Sequence, residues 1–244
     1  MTKPTLRFGD RASDYARYRP SYPRDAIDAV LAGFSSPQVA DLGAGTGISA
    51  GLMADAGAHV YAIEPNAAMR SAIPSHARIV VVDGLAEATT LPHRSVDVIT
   101  AFQAYHWFEP AKLFAEVERI RRSRARFAAV WNERDPGDAF VRAYNAVIEP
   151  YMTDDTESRR RASSIARDLR ANGWSDVRVL EFRQQHQVDW EQLIGRTRSA
   201  SYLPREGPAY ESMAAQLGEL YDRANEYGGA RFALVTSVHL GERQ

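Results

Sequence analysis

A glycine-rich segment between a predicted strand and a predicted helix places the strongest constraint on the fold of this chain. It consists of Asp41-Leu42-Gly43-Ala44-Gly45-Thr46-Gly47, after the apolar run Gln38–Asp41 and before a helical run at Ser49–Ala56. Glycine lets the backbone turn sharply and bring its N–H groups close to a ligand, because no Cβ intervenes. A strand, a glycine loop and a helix in this order favour a nucleotide-like ligand at the carboxyl edge of a sheet.

The rest of the chain repeats the alternation of short strands and helices, which predicts a parallel sheet covered by helices on both faces. The first five predicted strands are Gln38–Asp41, Val60–Ile63, Ile79–Val82, Val96–Thr100 and Phe127–Trp131. The predicted helices among them are Tyr22–Phe34, Ser49–Ala56, Ala67–Ile73 and Ala111–Arg121. Later predictions are helices at Asp138–Tyr151, Ser158–Asn172 and Glu206–Tyr227, and strands at Val177–Phe182 and Arg231–Leu240. Alternation in the last run predicts a strand added antiparallel to the sheet.

Composition excludes several classes of mechanism. The chain has no cysteine, which rules out disulfides, thiolate metal sites and cysteine nucleophiles. Its 30 basic and 31 acidic residues give a formal net charge of −1, so no overall positive field would attract nucleic acid or an anionic membrane. No apolar run is long enough to cross a bilayer, and the histidines lack the paired spacing of a metal site. We therefore expect a cytoplasmic protein with no nucleic-acid or membrane partner and no bound metal.

Two features separate the glycine loop from a dinucleotide-binding loop. The pattern G-x-G-x-x-G needs a glycine at position 48, where this chain has Ile48. Asp41 precedes the first glycine, and its carboxylate would repel a pyrophosphate but suit a ligand with an ammonium or a sulfonium. Glu64 ends the second predicted strand, at the place where a carboxylate can accept hydrogen bonds from both ribose hydroxyls. Capping of the following helix is the alternative role for Glu64.

The loop and Glu64 together resemble the class I S-adenosylmethionine-dependent methyltransferases. Further segments resemble the small-molecule branch that includes trans-aconitate methyltransferase-like proteins: Tyr15–Pro23, Gly84–Glu87, Ser95–Asp97, Gln103–Phe108 and Trp131–Asp135. The resemblance implies a Rossmann-like, doubly wound α/β fold with a seven-stranded mixed sheet, an antiparallel last strand and a helical cover over the acceptor site. It implies one domain over 1–244: an N-terminal lid and helix at 1–36, a cofactor-binding core at 37–135, a helical insertion and acceptor cover at 136–227 and the last strand at 228–244.

The resemblance implies S-adenosylmethionine as the methyl donor and S-adenosylhomocysteine as the product. The residues that it places around the methionine part are Tyr15, Arg19, Asp41, Gly43, Ala44, Gly45, Gly47, Ala101, Phe102 and His106. Asp41 would order the loop near the amino group, and Arg19, with Tyr15, would close over the carboxylate. A salt bridge at the start of the first helix is the alternative role for Arg19.

A second group of residues would surround the adenosine part. The resemblance places Glu64, Pro65, Met69, Asp83, Leu85 and Ala86 there. Glu64 would hold the ribose, and Leu85 and Ala86 would frame the adenine. Many relatives have an aspartate where Leu85 stands, so the adenine amino group would need Asp83, Glu87 or a backbone group instead.

Methyl transfer is an in-line displacement at the methyl carbon, in which positioning and exclusion of water supply most of the rate. Acceptor-side candidates follow the fourth and fifth predicted strands, and they are His106, Trp107, Asn132 and Asp135. An imidazole titrates near neutral pH and suits proton removal, so His106 is the candidate base. A structural turn is the alternative role for His106 and Trp107. Asn132 and Asp135 would otherwise simply end the fifth strand.

The sequence thus predicts a methyltransferase that acts on oxygen or nitrogen of a small-molecule acceptor. A carboxylate acceptor would have Arg134 or Arg198 as its anion partner. An apolar acceptor cavity could be lined by Tyr202, Tyr210, Met213, Leu217 and Tyr221, for which core packing is the alternative role. One alternative is an S-adenosylmethionine-binding protein without transferase activity. The other is a nicotinamide-dependent oxidoreductase, which Ile48 and the lack of a clear Tyr-x-x-x-Lys pair disfavour. The sequence predicts no particular oligomeric state.

Overall fold

A computed structural model describes residues 18–153, 156–200 and 202–244, and the side chains of residues 156–163 lie outside this description. The strands are β1 (Gln38–Leu42), β2 (His59–Ile63), β3 (Ile79–Val82), β4 (Val96–Phe102), β5 (Arg121–Arg134), β6 (Ser175–Gln187) and β7 (Arg231–Arg243). The helices are α1 (Arg24–Leu31), α2 (Ile48–Asp55), α3 (Ala67–Ser71), α4 (Pro110–Ile120), α5 (Ala139–Ile148), α6 (Thr156–Ala171), α7 (Trp190–Arg198) and α8 (Gly207–Glu226). Short 3₁₀ helices occupy Tyr105–Trp107 and Glu149–Tyr151.

The strands form one seven-stranded sheet in the order β3-β2-β1-β4-β5-β7-β6. β1 pairs in parallel with both β2 and β4, so the chain winds outward in opposite directions from β1. β7 lies antiparallel between β5 and β6. The predicted doubly wound mixed sheet with an antiparallel last strand is therefore confirmed. In such a sheet the loops after β1 and β4 diverge at the switch point and leave a crevice at the carboxyl edge.

Apolar side chains on the two faces of the sheet form separate cores. On one face, Ile99 and Phe127 pack with Leu113 of α4. On the other face, Val98 and Val130 pack in the cluster that includes residues of α1 and α2. Because the central strands are covered on both sides, they are nearly continuous apolar runs, as the sequence showed.

β5 is longer at its start than the predicted strand Phe127–Trp131. It begins at Arg121, directly after α4, where it pairs with Val96 of β4, and from Ala125 onward it pairs with the end of β7. Within this pairing the Arg126 guanidinium forms an ion pair with Glu242 at 2.6 Å. The cross-strand partner is distant in sequence, which is why local pattern did not reveal the extra length.

A third apolar cluster joins α5, α7 and α8 to the start of β7. Met213 and Leu217 are fully buried in it, and Tyr210 and Tyr221 pack against it half-buried. None of these four side chains lines the cavity described below; the inner side of α8 packs into the core, which is the alternative that the sequence left open. Tyr202 does line the cavity described below. Within the described residues, no helix is long and apolar enough to span a membrane.

Candidate active site

A cavity of about 670 Å³ lies at the carboxyl edge of the sheet. Its walls come from the glycine loop after β1, the segment before α1, the ends of β4 and β5, and parts of β7, α5 and α7. The volume is in the range of small-molecule sites. Tertiary structure thus gathers most chemically notable segments of the sequence at one place.

The glycine loop forms one wall of this cavity, and two of its three glycines differ in what surrounds them. Gly43, Gly45 and Gly47 all have positive φ, at 67°, 58° and 84°. A Cβ on Gly47 would lie 2.8 Å from Ile73, whereas a Cβ on Gly45 would meet no atom within 4 Å. Gly45 therefore presents bare backbone to the cavity. The neighbouring Thr46 hydroxyl is buried with no hydrogen-bond partner among the described residues, so this wall offers a group for a ligand to satisfy.

Asp41 lies fully buried beneath the loop and does not itself line the cavity. Its carboxylate accepts hydrogen bonds from Ser49 Oγ at 2.6 Å and Thr100 Oγ1 at 2.7 Å. Burial raises the pKa of Asp41 to about 6, against the opposing effect of the two hydroxyls. Asp41 therefore joins the start of α2 to β4 and places a negative charge below the loop.

Glu64, at the end of β2, holds the loop in shape. Its Oε2 accepts a hydrogen bond from the Gly45 N–H at 2.9 Å, and its Oε1 accepts one from the Asn66 N–H at 2.8 Å. Burial raises the pKa of Glu64, although these backbone donors oppose the rise. Each carboxylate oxygen keeps a second lone pair that can accept a further hydrogen bond.

None of the six residues predicted to surround adenosine, Glu64 included, lines this cavity. Met69 and Ala86 are buried, while Leu85 is 50% exposed. The Asp83 carboxylate pairs with Arg70 at 2.8 Å, and Glu87 accepts a hydrogen bond from the Glu109 N–H at 2.9 Å. Of the residues predicted around the methionine part, Gly47 is also absent from the lining, and Ala101 is fully buried in β4. Their roles stay predictions.

The segment before α1 covers part of the cavity. Arg19 lines it and donates a hydrogen bond from Nη2 to the Ser199 carbonyl at 3.4 Å. Tyr22 packs edge-on against Phe102, with ring centroids 4.7 Å apart. This contact holds the segment over the end of β4. Tyr15, which is predicted to act with Arg19, lies outside the described residues.

The turn after β4 supplies the candidate base. Gln103 has a φ of 53°, and its side chain donates a hydrogen bond to the Asn132 carbonyl at 2.9 Å. Left-handed backbone is uncommon at residues other than glycine, and the cases that occur are concentrated at functional sites. His106, on the 3₁₀ helix that follows, lines the cavity, and its ring centroid lies 4.8 Å from that of Trp107. Trp107 packs against the core and is not part of the lining.

The two candidates at the end of β5 have structural partners. Asn132 lines the cavity, but its Nδ2 donates to the Ser21 carbonyl at 3.1 Å and its Oδ1 accepts from Thr236 Oγ1 at 2.5 Å. Asp135 does not line the cavity; its carboxylate accepts a hydrogen bond from the Gly137 N–H at 2.9 Å and lies 3.4 Å from the Arg183 guanidinium. Both therefore have partners that hold the ends of strands, and their catalytic roles stay predictions.

Several lining residues were not singled out from the sequence. They are Tyr144 and Asn145 of α5, Arg196 of α7, Trp131 of β5 and Phe232 and His239 of β7. Of the two predicted anion partners, Arg134 lines the cavity, but Arg198 is exposed outside it. Arg196 takes that place, because residues two apart on a helix point to nearly opposite sides. The choice between Arg196 and Arg198 depends on how α7 packs beside β7, which local sequence does not show.

Two buried groups complete the lining near β7. The Trp131 indole N–H and His239 Nδ1 are buried without hydrogen-bond partners among the described residues. The two rings meet edge-on with centroids 5.3 Å apart. Burial lowers the pKa of His239, which favours the neutral imidazole. Within the described residues, no cluster of side chains suits a metal ion.

The sequence and the fold are similar to those of known methyltransferases. Residues 40–129 match the methyltransferase domain family. An uncharacterized methyltransferase of Mycobacterium tuberculosis is 38% identical over 148 residues, which cover 59% of this chain and 59% of that protein. An uncharacterized methyltransferase of Schizosaccharomyces pombe is 23% identical over 244 residues, which cover 95% of this chain and 94% of that protein.

Solved structures show the same fold. A protein from Anaeromyxobacter dehalogenans, named as a candidate type II methyltransferase, superimposes with a TM-score of 0.70 at 23% identity, over 93% of this chain and 98% of that chain. A SAM-dependent methyltransferase from Aquifex aeolicus superimposes with a TM-score of 0.55 at 14% identity, over 96% of this chain and 98% of that chain.

Proposed function

We propose that this chain, which carries a methyltransferase domain of the class I fold, transfers a methyl group from S-adenosylmethionine to a small-molecule acceptor. The observation that carries the proposal is the bare backbone of Gly45 in the cavity wall, with open space where a Cβ would stand. Such a loop at the carboxyl edge of the sheet can approach a ligand closely. When bound, S-adenosylmethionine would supply an electrophilic methyl group on a sulfonium.

The residues around the loop fit the chemical groups of this cofactor. The Arg19 guanidinium in the cavity wall suits the carboxylate of the methionine part. The buried Thr46 hydroxyl suits another polar group of the same part of the cofactor. The Asp41 charge below the loop favours a cationic ligand. Glu64 has lone pairs left for ribose hydroxyls while it holds Gly45 in place.

The acceptor would enter the part of the cavity beside His106. In-line displacement needs the acceptor atom held close to the methyl carbon and shielded from water. Aromatic side chains of Tyr144, Tyr202 and Phe232 in the lining suit such exclusion. The His106 imidazole lies in the lining at the turn after β4, where it can accept a proton from a hydroxyl or an ammonium acceptor. This arrangement supports methylation of an oxygen or a nitrogen atom.

A calorimetric titration of the purified protein with S-adenosylmethionine, S-adenosylhomocysteine and NAD tests the cofactor. We expect both adenosyl ligands to bind and NAD not to bind. Binding of NAD alone would favour an oxidoreductase and reject the proposal, as would binding of none of the three.

Release of S-adenosylhomocysteine with a panel of hydroxyl and amine acceptors then tests transfer. We expect His106→Asn to lose about 10²-fold or more in turnover at saturating cofactor. The control is His93→Asn, because His93 is exposed outside the cavity. Cofactor binding without turnover of any acceptor would instead support a binding protein without transferase activity.

A further inference from the structure

We propose that the acceptor carries an anionic oxygen group, a carboxylate or a phosphate, which binds to the guanidinium groups of Arg196 and Arg134 in the cavity. This inference rests on the proposed function, since it identifies the chemical class of the second substrate. It concerns the part of the cavity wall that α5, α7, the end of β5 and the start of β7 form.

Arg196 is the central observation. Its Nε and Nη1 atoms are buried, and neither has a hydrogen-bond partner among the described residues. Its guanidinium carbon lies 4.9 Å from the centroid of the Phe232 ring, so the aromatic ring holds the cation. Burial lowers the pKa of Arg196 to about 10, and nearby Arg19 adds to the effect. A desolvated cation with unused donors is costly unless an anion binds to it.

Arg134 provides a second cation in the same wall. Its guanidinium carbon lies 5.7 Å from the centroid of the Tyr144 ring. The part of the chain that the structure describes gives Arg134 no ion pair and no side-chain hydrogen bond. The Tyr144 hydroxyl, by contrast, is engaged with Thr197 Oγ1 at 2.9 Å, which fixes the ring. Both arginines are thus positioned by aromatic rings, and this leaves their N–H donors for a ligand.

The charge balance of the lining favours an anion. Arg19, Arg134 and Arg196 line the cavity, whereas Glu133 is the one acidic residue among its described lining residues. Glu133 is exposed and lies 3.5 Å from Ser237 Oγ, which donates to it. The proposed cofactor carries one carboxylate, for which Arg19 is the assigned partner. Arg196 and Arg134 are therefore left for a second anionic group.

Guanidinium chemistry narrows the class of this group. The planar donor fork of arginine matches the two oxygens of a carboxylate or a phosphate. The rings of Tyr144, Tyr202 and Phe232 in the same wall suit an apolar body attached to that anion. An uncharged acceptor of the same shape would leave both cations without a counter-charge.

The test is a calorimetric titration with three probes that share a phenyl ring and differ in the attached group: benzoate, phenyl phosphate and the uncharged benzyl alcohol. Each titration is made with and without saturating S-adenosylhomocysteine. We expect one or both anions to bind and the alcohol to bind at least about tenfold more weakly. The preferred anion distinguishes a carboxylate acceptor from a phosphate acceptor. Equal binding of the alcohol, or no binding of either anion, would overturn the inference.

Variants on one helix give the matched control. We expect Arg196→Gln to weaken the anions about 10- to 100-fold, while the exposed Arg198→Gln changes nothing. Arg134→Gln should weaken the anions as well. The affinity for S-adenosylhomocysteine should stay unchanged in Arg196→Gln. If this variant loses S-adenosylhomocysteine affinity but still binds the anions, Arg196 belongs to the cofactor carboxylate and the inference is rejected.

The midpoint temperature of thermal unfolding shows whether Arg196→Gln still folds. We expect it to equal or exceed that of the unaltered chain, because the substitution removes a buried charge. A lower midpoint would contradict the description of Arg196 as an unsatisfied cation. Failure of S-adenosylhomocysteine to bind the unaltered chain would count against the proposed function alone. Anion binding without that ligand would still support the assignment of Arg196.

Discussion

The backbone N–H of Gly45 donates a hydrogen bond to Oε2 of Glu64 at 2.9 Å. This bond joins the loop after β1 to the end of β2, and the other oxygen of the same carboxylate holds Asn66 at the start of α3. One buried carboxylate therefore sets the shape of the loop that we propose as the cofactor site. Its role as a loop clamp and its proposed role in ribose binding are compatible, because each oxygen accepts more than one hydrogen bond.

Glu64→Gln should weaken both functions of this carboxylate. An amide has one acceptor oxygen, so its NH₂ group must face one of the two backbone donors. We expect a loss of about 1 to 3 kcal/mol in the free energy of unfolding and a lower affinity for S-adenosylhomocysteine. Urea unfolding and calorimetry measure the two effects. An exposed carboxylate, as in Glu219→Gln, is the control; equal stability in both variants would contradict the clamp.

Asp41→Asn should change how stability depends on pH. Burial raises the pKa of Asp41 from 3.8 to about 6, so the folded state binds a proton that the unfolded state has released between these values. Its stabilising contribution is therefore fully present below about pH 4 and is lost as the pH rises through about 6. Relative to the variant, the unaltered chain should lose roughly 3 kcal/mol over this window.

Urea unfolding of both proteins across the window measures this difference. A constant difference between the two would show that the carboxylate is ionised throughout. The same variant should weaken S-adenosylmethionine more than S-adenosylhomocysteine, because only the former carries a sulfonium. Equal weakening of the two ligands would remove the electrostatic role that we propose for Asp41.

Two alanine substitutions in the glycine loop should separate binding from stability. Both positions have positive φ, so alanine costs about 1 to 2 kcal/mol of conformational strain at either one. At Gly47 the new Cβ would also lie 2.8 Å from Ile73 Cγ2, which adds about 1 to 3 kcal/mol of overpacking. At Gly45 it would enter open space in the cavity wall.

Gly45→Ala should therefore lose S-adenosylhomocysteine affinity at a small cost in stability, and Gly47→Ala should lose more stability. Chemical denaturation and calorimetry on the two variants check this order. Ile73→Ala should recover part of the stability lost in Gly47→Ala, because it removes the clashing methyl group. Additive losses in the double variant would show that the loop moves to avoid Ile73.

Asn132→Asp tests the structural role of a residue for which the sequence left a catalytic and a structural role open. The substitution places an oxygen 3.1 Å from the Ser21 carbonyl, where Nδ2 now donates. We expect a loss of about 1 to 3 kcal/mol in unfolding free energy, measured by urea titration. Asn172→Asp makes the same change at an exposed donor, which bonds to the Asp168 carbonyl at 2.8 Å, and should cost less. A fully stable Asn132→Asp would leave a catalytic role open.

Local sequence was sufficient for the order of the elements and for the loop. The alternation of apolar strands with helices predicted the mixed sheet, because burial on both faces requires near-continuous apolar strands. The glycine loop was readable since strand, turn and helix are contiguous in the chain. Its contact with Glu64 follows from the parallel pairing of β1 with β2, which brings residues 19 apart in sequence together.

The far wall of the cavity was not readable in this way. Of the arginines on α7, Arg198 was the one predicted from the sequence as an anion partner, but the packing of α7 turns Arg196 into the cavity instead. Met213 and Leu217 have the apolar character of a cavity wall, yet α8 buries them in the core. His106, in contrast, could be predicted from the sequence, because its place in the cavity depends only on the turn directly after β4.

The sequence by itself determined the sheet, the glycine loop and the acidic residue after β2, because their signals lie within short contiguous stretches. The tertiary structure alone decided which arginines face the cavity and which polar residues are held by structural bonds. The physical reason is sequence separation: β7 inserts beside β5, so Thr236 meets Asn132 across 104 residues and Phe232 meets Arg196. Contacts of that range depend on how whole elements pack.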